Sequence, residues 1–274
     1  MVALADLFRL HGPASRARCG DRMPPRHLGA MQASAQGRPE ALGGQVSQGA
    51  ACQALEASDH ACTNRHGPKG QNDEATRWRD TPRALLLPGP SLLVTFPLPA
   101  ALRPGARSQQ QCLDTGLLQT SAAALPVLAR DAKPLGGQRG MVGVLHPWTR
   151  AMASHPQVHS LVPAGALAPD GAQWLAPRSE DGRVPVRALS PIFRGTFKEK
   201  IAQATLLDHA SAHVWQQAWV THGAPGGTGH EVLPSLAPSI RRIAMTNNRM
   251  EKREDGDGTF RFKASGSKEW HPRT

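Results

Sequence analysis

From His155 the chain reads His-Pro-Gln-Val-His and, past Ser160, runs into the apolar pair Leu161-Val162. This alternation constrains the fold more than any other stretch. On a strand, residues two apart share a face, so His155, Gln157 and His159 point one way while Val158 turns into a core. Two imidazoles and an amide oxygen on one face could hold a divalent cation. The same spacing also describes a polar edge strand carrying two of the chain's twelve histidines, and spacing alone favours that reading.

Regular structure elsewhere must contend with 27 Gly and 24 Pro, and the chain contains no tyrosine. Both residue types interrupt helices and weaken strands, so short, broken elements and partial disorder are predicted. Thirty-two Lys and Arg against twenty-one Asp and Glu leave a formal charge of +11. That excess favours a polyanionic partner through counterion release, although a generic basic surface has the same count. Arginine outnumbers lysine, which suits bidentate phosphate contacts. No apolar run reaches the ~18 residues of a membrane span, and the N-terminus lacks the pattern of a secretory signal. Cys19, Cys52, Cys62 and Cys112 are too scattered for a disulfide framework. A reducing cytoplasm is the expected compartment.

In chain order, Val2, Leu4, Leu7 and Leu10 fit a short amphipathic helix that Gly12-Pro13 should stop. Leu92-Leu93-Val94-Thr95-Phe96 is the best early strand. Leu113, Leu117, Leu118, Ser121, Leu125 and Leu128 follow a helical period, with Pro126 placed to kink or shorten it. Val142 and Val144 mark a strand that pairs with the histidine strand. Trp148 and Arg150 read either as a stacking and phosphate contact for a single strand or, for the tryptophan, as core. Phe193, Phe197 and Ile201 define the clearest helix, and Trp215 and Trp219 repeat the spacing.

Taken together, these segments resemble the rolling-circle transposases of the insertion-sequence ninety-one type, within the HUH class of single-strand nucleases (His, hydrophobic residue, His). The motifs that carry the resemblance are Gly143-Val144-Leu145-His146-Pro147-Trp148, then His155 to His159, then Leu161-Val162-Pro163-Ala164-Gly165-Ala166-Leu167. Pro99, Leu102, Arg103 and Pro104 match a further element, as does the run Pro185 to Phe197. The resemblance implies an α+β fold: an antiparallel sheet of HUH-nuclease type with packed helices, preceded by a degenerate zinc-ribbon-like module. It divides the chain into a helical, basic adaptor at 1–46, the zinc module at 47–72 and the nuclease domain at 73–274. The implied activity is DNA nicking and strand transfer at single-stranded element ends, in a bacterial cytoplasm at the nucleoid.

Under the resemblance, His155, Gln157 and His159 would hold Mg²⁺ or Mn²⁺ weakly, and Trp148, Arg150, Arg194, Arg241 and Arg242 would meet DNA. The family's paired catalytic tyrosines fall at Ser235 and Ser239, beside the helix-breaking Pro234 and Pro238. A serine hydroxyl falls several ångströms short of a phenol's reach, so cleavage is expected to be lost or very weak. In the zinc module Cys52 and Cys62 remain, but Gly49, Gly67 and Gly70 stand where three thiols belong. His60 and His66 could complete four ligands on paper only, and no bound zinc is expected. The sequence ends at Thr274 where relatives continue through a basic segment, which suggests a truncated, degenerate copy. The alternatives are a non-catalytic single-strand-binding remnant and an unstable decayed product.

Overall fold

The computed structural model describes residues 4–35, 44–48, 55–59, 71–130, 136–149, 151–177, 185–207, 210–237, 249–254, 257–263, 267 and 269–273. They belong to an α+β chain of two compact units. The first comprises Met1–Thr76, Arg150–Met152 and Ile243–Thr274, and the second Arg77–Thr149 and Ala153–Arg242.

The chain begins with α1 (Leu4–Cys19) and α2 (Pro25–Ala35). Gly12-Pro13 does not stop α1, contrary to expectation. Ala5 is buried on it, and Arg9 joins it to the end of α2 by donating from Nε to the Ala35 carbonyl at 2.9 Å. Two short strands, β1 (Gly44–Gln48) and β2 (Leu55–Asp59), then pair antiparallel. The helix α3 (Gln71–Ala84) follows.

The second unit is built on an antiparallel sheet. Its strands are β3 (Ser91–Pro97), β4 (Val142–Trp148), β5 (Ser154–Pro163) and, after the small hairpin β6 (Ala166–Leu167) with β7 (Trp174–Leu175), β8 (His222–Pro225). Their order is β4-β5-β3-β8. The two strands expected around the histidines and the early strand at Leu92–Phe96 thus lie side by side. Gly165 lets the hairpin close: a Cβ there would stand 2.5 Å from the Trp174 ring.

Between β3 and β4 come α4 (Arg103–Ser108) and α5 (Gln110–Arg130), and α6 (Val186–Gln203) follows the hairpin. One core joins Leu113, Leu117, Leu125 and Leu128 of α5 to Leu189, Phe193, Phe197 and Ile201 of α6, over Val94, Phe96, Leu145, Val158 and Val162 of the sheet. Pro126 lies within α5 yet does not end it. A proline inside a helix costs about 3 kcal/mol, and burial of Leu125, Leu128 and Ala129 on both sides of it offsets that cost. α5 is long and apolar enough to cross a membrane by length and composition; its buried stripe is accounted for by this core. α6 stops at Gln203 rather than reaching the tryptophans. Thr205 turns left-handed at φ 55, and Trp215 falls on a separate 3-10 turn, Ala212–Trp215.

The last helix of the second unit, α7 (Leu233–Leu236), has four residues. In the first unit, β9 (Met250–Glu254), β10 (Asp257–Phe262) and β11 (His271–Arg273) form a second antiparallel sheet in the order β11-β10-β9. Leu7 of α1 lies against Gly258 of β10.

Candidate functional site

The alternation read from His155 to His159 holds in β5: Val158 is fully buried, and the histidines lie on the opposite face. Register supplies the rest. His159 stands opposite Val144 of β4 and Thr95 of β3, and Gln157 stands opposite His146 and Pro97. Directly opposed residues share a face, so Thr95, His146, His155, Gln157 and His159 occupy the side of the sheet away from α5 and α6. The His146 and His159 rings meet edge to face with centroids 5.7 Å apart. Thr95 Oγ1 lies 3.0 Å from His159 Nδ1, which leaves Nε2 as the nitrogen turned away from that contact.

Burial, reinforced by His146 and His155, pushes the His159 pKa down to about 4. His155 is also lowered, first by burial and then by the Arg103 guanidinium and His146, against a raising hydrogen bond from Gln157. Both rings are therefore neutral near pH 7, the form in which imidazole ligates a metal. Arg103 reaches this end of the sheet through a short relay. Its Nε donates to the Leu98 carbonyl at 3.4 Å, while Leu98 N–H donates to the Pro156 carbonyl at 2.8 Å.

As a donor set, the imidazoles of His146, His155 and His159 with the Gln157 amide oxygen suit Mn²⁺ better than the harder Mg²⁺. Among the described residues, however, no three His, Cys, Asp or Glu side chains are gathered closely enough to hold one ion. The chemistry of the set fits a divalent cation. The rings would have to turn on the strand frame to converge on it.

His146 and Arg103 are the members of this cluster that site reasoning from the sequence missed. Both lie in recognised motifs, and His146 also continues the alternation of Val142 and Val144. Only the β4–β5 register brings it opposite Gln157.

The other expected residues fall elsewhere. Ser235 is on α7, and its hydroxyl donates to the Val232 carbonyl at 2.7 Å. The turn leading to α7 packs at the Ser91 end of the sheet, where Gly226 N–H donates to the Ser91 carbonyl. His155 lies toward the other end of β5, roughly 26 Å of strand away. Trp148 ends β4, opposite Ser154 after a register shift, and is half-buried. Arg194 lies on α6, a helix that packs on the face opposite the histidines, and donates to the Gln217 carbonyl at 2.7 Å. Arg150, Ser239, Arg241, Arg242, Cys52 and Cys62 lie outside the described residues, as do His60 and His66.

Fold and site together define an α+β protein whose antiparallel sheet displays a histidine-rich polar face. Residues 7–98 match the transposase zinc-binding domain of the insertion-sequence ninety-one type, and residues 140–274 match the family described as "Putative transposase". Over 280 aligned positions the chain is 32% identical to a Sinorhizobium fredii protein named "Putative transposase y4qJ", an alignment covering 95% of this chain and 70% of that relative. No solved structure matches. The chain belongs to the transposase family of the insertion-sequence ninety-one type.

Proposed function

We propose that the histidine face of the β4-β5-β3 sheet engages the phosphate backbone of single-stranded DNA at the ends of a mobile element. His155, Gln157 and His159 would hold Mn²⁺ or Mg²⁺ weakly, with His146 and Arg103 alongside. A bound cation supplies polarisation of the phosphoryl oxygens. The observation that carries the reading is the register that sets three histidines and a glutamine on one sheet face in a transposase-family chain. Neutral His155 and His159 add no charge repulsion toward a cation, and Arg103 supplies a phosphate partner.

Nicking by this class of chemistry stores the broken phosphodiester bond as a covalent link to a protein hydroxyl. The chain has no tyrosine. The Ser235 hydroxyl is engaged by the Val232 carbonyl, and a serine at either tyrosine position is shorter than a phenol. Cleavage is therefore absent or very weak, and the residual activity is DNA binding.

Incubation with single-stranded oligonucleotides carrying the element ends and Mn²⁺ is expected to yield no covalent protein–DNA product. An adduct mapped to Ser235 or Ser239 would overturn this reading of the chemistry. In the same samples Mn²⁺ should broaden the NMR signals of His155 and His159 before those of other histidines; uniform broadening would remove the metal assignment.

The zinc-binding domain, with three thiol positions occupied by Gly49, Gly67 and Gly70, is expected to retain far less than one zinc per chain. Elemental analysis of protein purified without chelators tests this. A full equivalent lost on Cys52→Ser would show a working site.

A further inference from the structure

The β9–β11 sheet carries a feature that the histidine face does not explain. Trp270, just before β11, is 51% exposed. The Arg261 guanidinium carbon stands 5.2 Å and Lys263 Nζ 5.0 Å from the centre of its ring. Arg261 lies on β10 and Lys263 directly follows the strand, and both cations stand over the same ring. The ladder pairs Arg261 with Pro272 and Phe262 with His271; continued one step, it sets Lys263 opposite Trp270. On the other face Phe262 contacts His271 at 5.9 Å and Phe260 at 6.4 Å. The small apolar side of the sheet thus forms without Trp270.

A tryptophan buries more apolar surface than almost any other side chain and is seldom left this open. Here it stands under two cations instead of in the core. That combination matches one kind of ligand: an exposed ring can stack on a base, and flanking cations can meet the phosphates on either side of it. A duplex keeps its base faces covered by their neighbours, so only unpaired bases can use the ring. Among the described residues, Glu251 lies at the bulge beside Phe260 and Glu269 next to Trp270, while Arg261 and Lys263 are the groups over the ring itself.

We infer that Trp270, Arg261 and Lys263 form a stacking platform for single-stranded nucleic acid, separate from the histidine face. The platform shares the DNA-binding reading proposed above but is independent of the metal.

The test uses the full chain and a short fluorescein-labelled single strand of mixed sequence, followed by anisotropy without divalent cations. Trp270→Ala is expected to weaken single-strand binding about tenfold and to leave binding of a blunt duplex nearly unchanged. Trp270→Phe, which keeps a ring, should recover most of the loss. Changing both Arg261→Gln and Lys263→Gln should reduce the slope of log affinity against log salt by roughly 1.4, the loss of two single-strand phosphate contacts.

Single-strand affinity unchanged in Trp270→Ala, with circular dichroism unchanged, would overturn the inference and leave the metal reading standing. His159→Ala should preserve the Trp270 effect. If that effect vanishes in the His159→Ala background, the platform is not a separate site. If Mn²⁺ fails to distinguish His155 and His159 while the Trp270 effect persists, the metal reading falls and the platform remains.

Discussion

Phe193→Ala is expected to destabilise the second unit by about 3–5 kcal/mol, the usual cost of deleting a buried aromatic ring. Phe193 has no exposed surface. Its ring lies 5.0 Å from Phe96, 5.3 Å from Trp219 and 6.2 Å from Phe197 between centroids. Trp219 is itself held by an Nε1 hydrogen bond to the Val214 carbonyl at 2.9 Å, which limits how far the site can collapse around a cavity. Phe193→Leu, which leaves a smaller cavity, should cost less than Phe193→Ala. Leu87→Ala, at a half-exposed position, should change stability by no more than about 0.5 kcal/mol. Urea unfolding followed by tryptophan fluorescence would rank the three, and a Phe193→Ala loss near that of Leu87→Ala would show that this cluster does not hold the unit together. Function follows from the same contact. Phe193 fastens α6 to Phe96 on β3, and the next residue on that strand toward its start, Thr95, holds the His159 ring.

Acidification should weaken the metal-free fold through His159. Its folded pKa is about 4, against an ordinary value near 6.5. Between those two values the unfolded chain binds the proton and the folded chain does not, so stability rises with pH across the window. The contribution is fully present above about pH 6.5 and is lost as the pH falls toward 4, with a ceiling of about 3 kcal/mol. His155, lowered in the same direction, adds to the slope below its ordinary range. In EDTA, unfolding free energy measured between about pH 7.5 and 4.5 should fall steeply for the unchanged chain. In His159→Gln, which keeps a polar partner for Thr95 but cannot titrate, the slope should be visibly shallower. Equal slopes in the two proteins would show that His159 is not held neutral by the fold.

Much of the second unit could be read locally. The strand from His155 to Val162, the strand at Leu92–Phe96 and the apolar stripes of α5 and the first half of the Phe193 helix all follow from periodicities of two and 3.6 residues. The prolines misled because their cost is local while the compensation is tertiary. Gly12-Pro13 is predicted to stop α1 and Pro126 to kink or shorten α5, yet both prolines lie inside helices that continue past them. Trp215 and Trp219 repeat the spacing of the Phe193 helix, yet neither lies on it. The left-handed turn at Thr205 breaks the helix first, and no glycine marks that turn in the sequence.

The sequence by itself determined the face shared by His155, Gln157 and His159, the excess of positive charge, the family motifs and the lack of any tyrosine. These are matters of residue identity and of short-range alternation. Tertiary structure alone decided that His146 and Arg103 join the histidine cluster, that His159 is held neutral, that the turn into the Ser235 helix packs at the far end of the sheet, and that Trp270 stands open under Arg261 and Lys263. Each of these depends on strand register or burial, which arise from pairing between segments distant in the chain. A shift of one residue in that pairing would turn the same histidines to the other face.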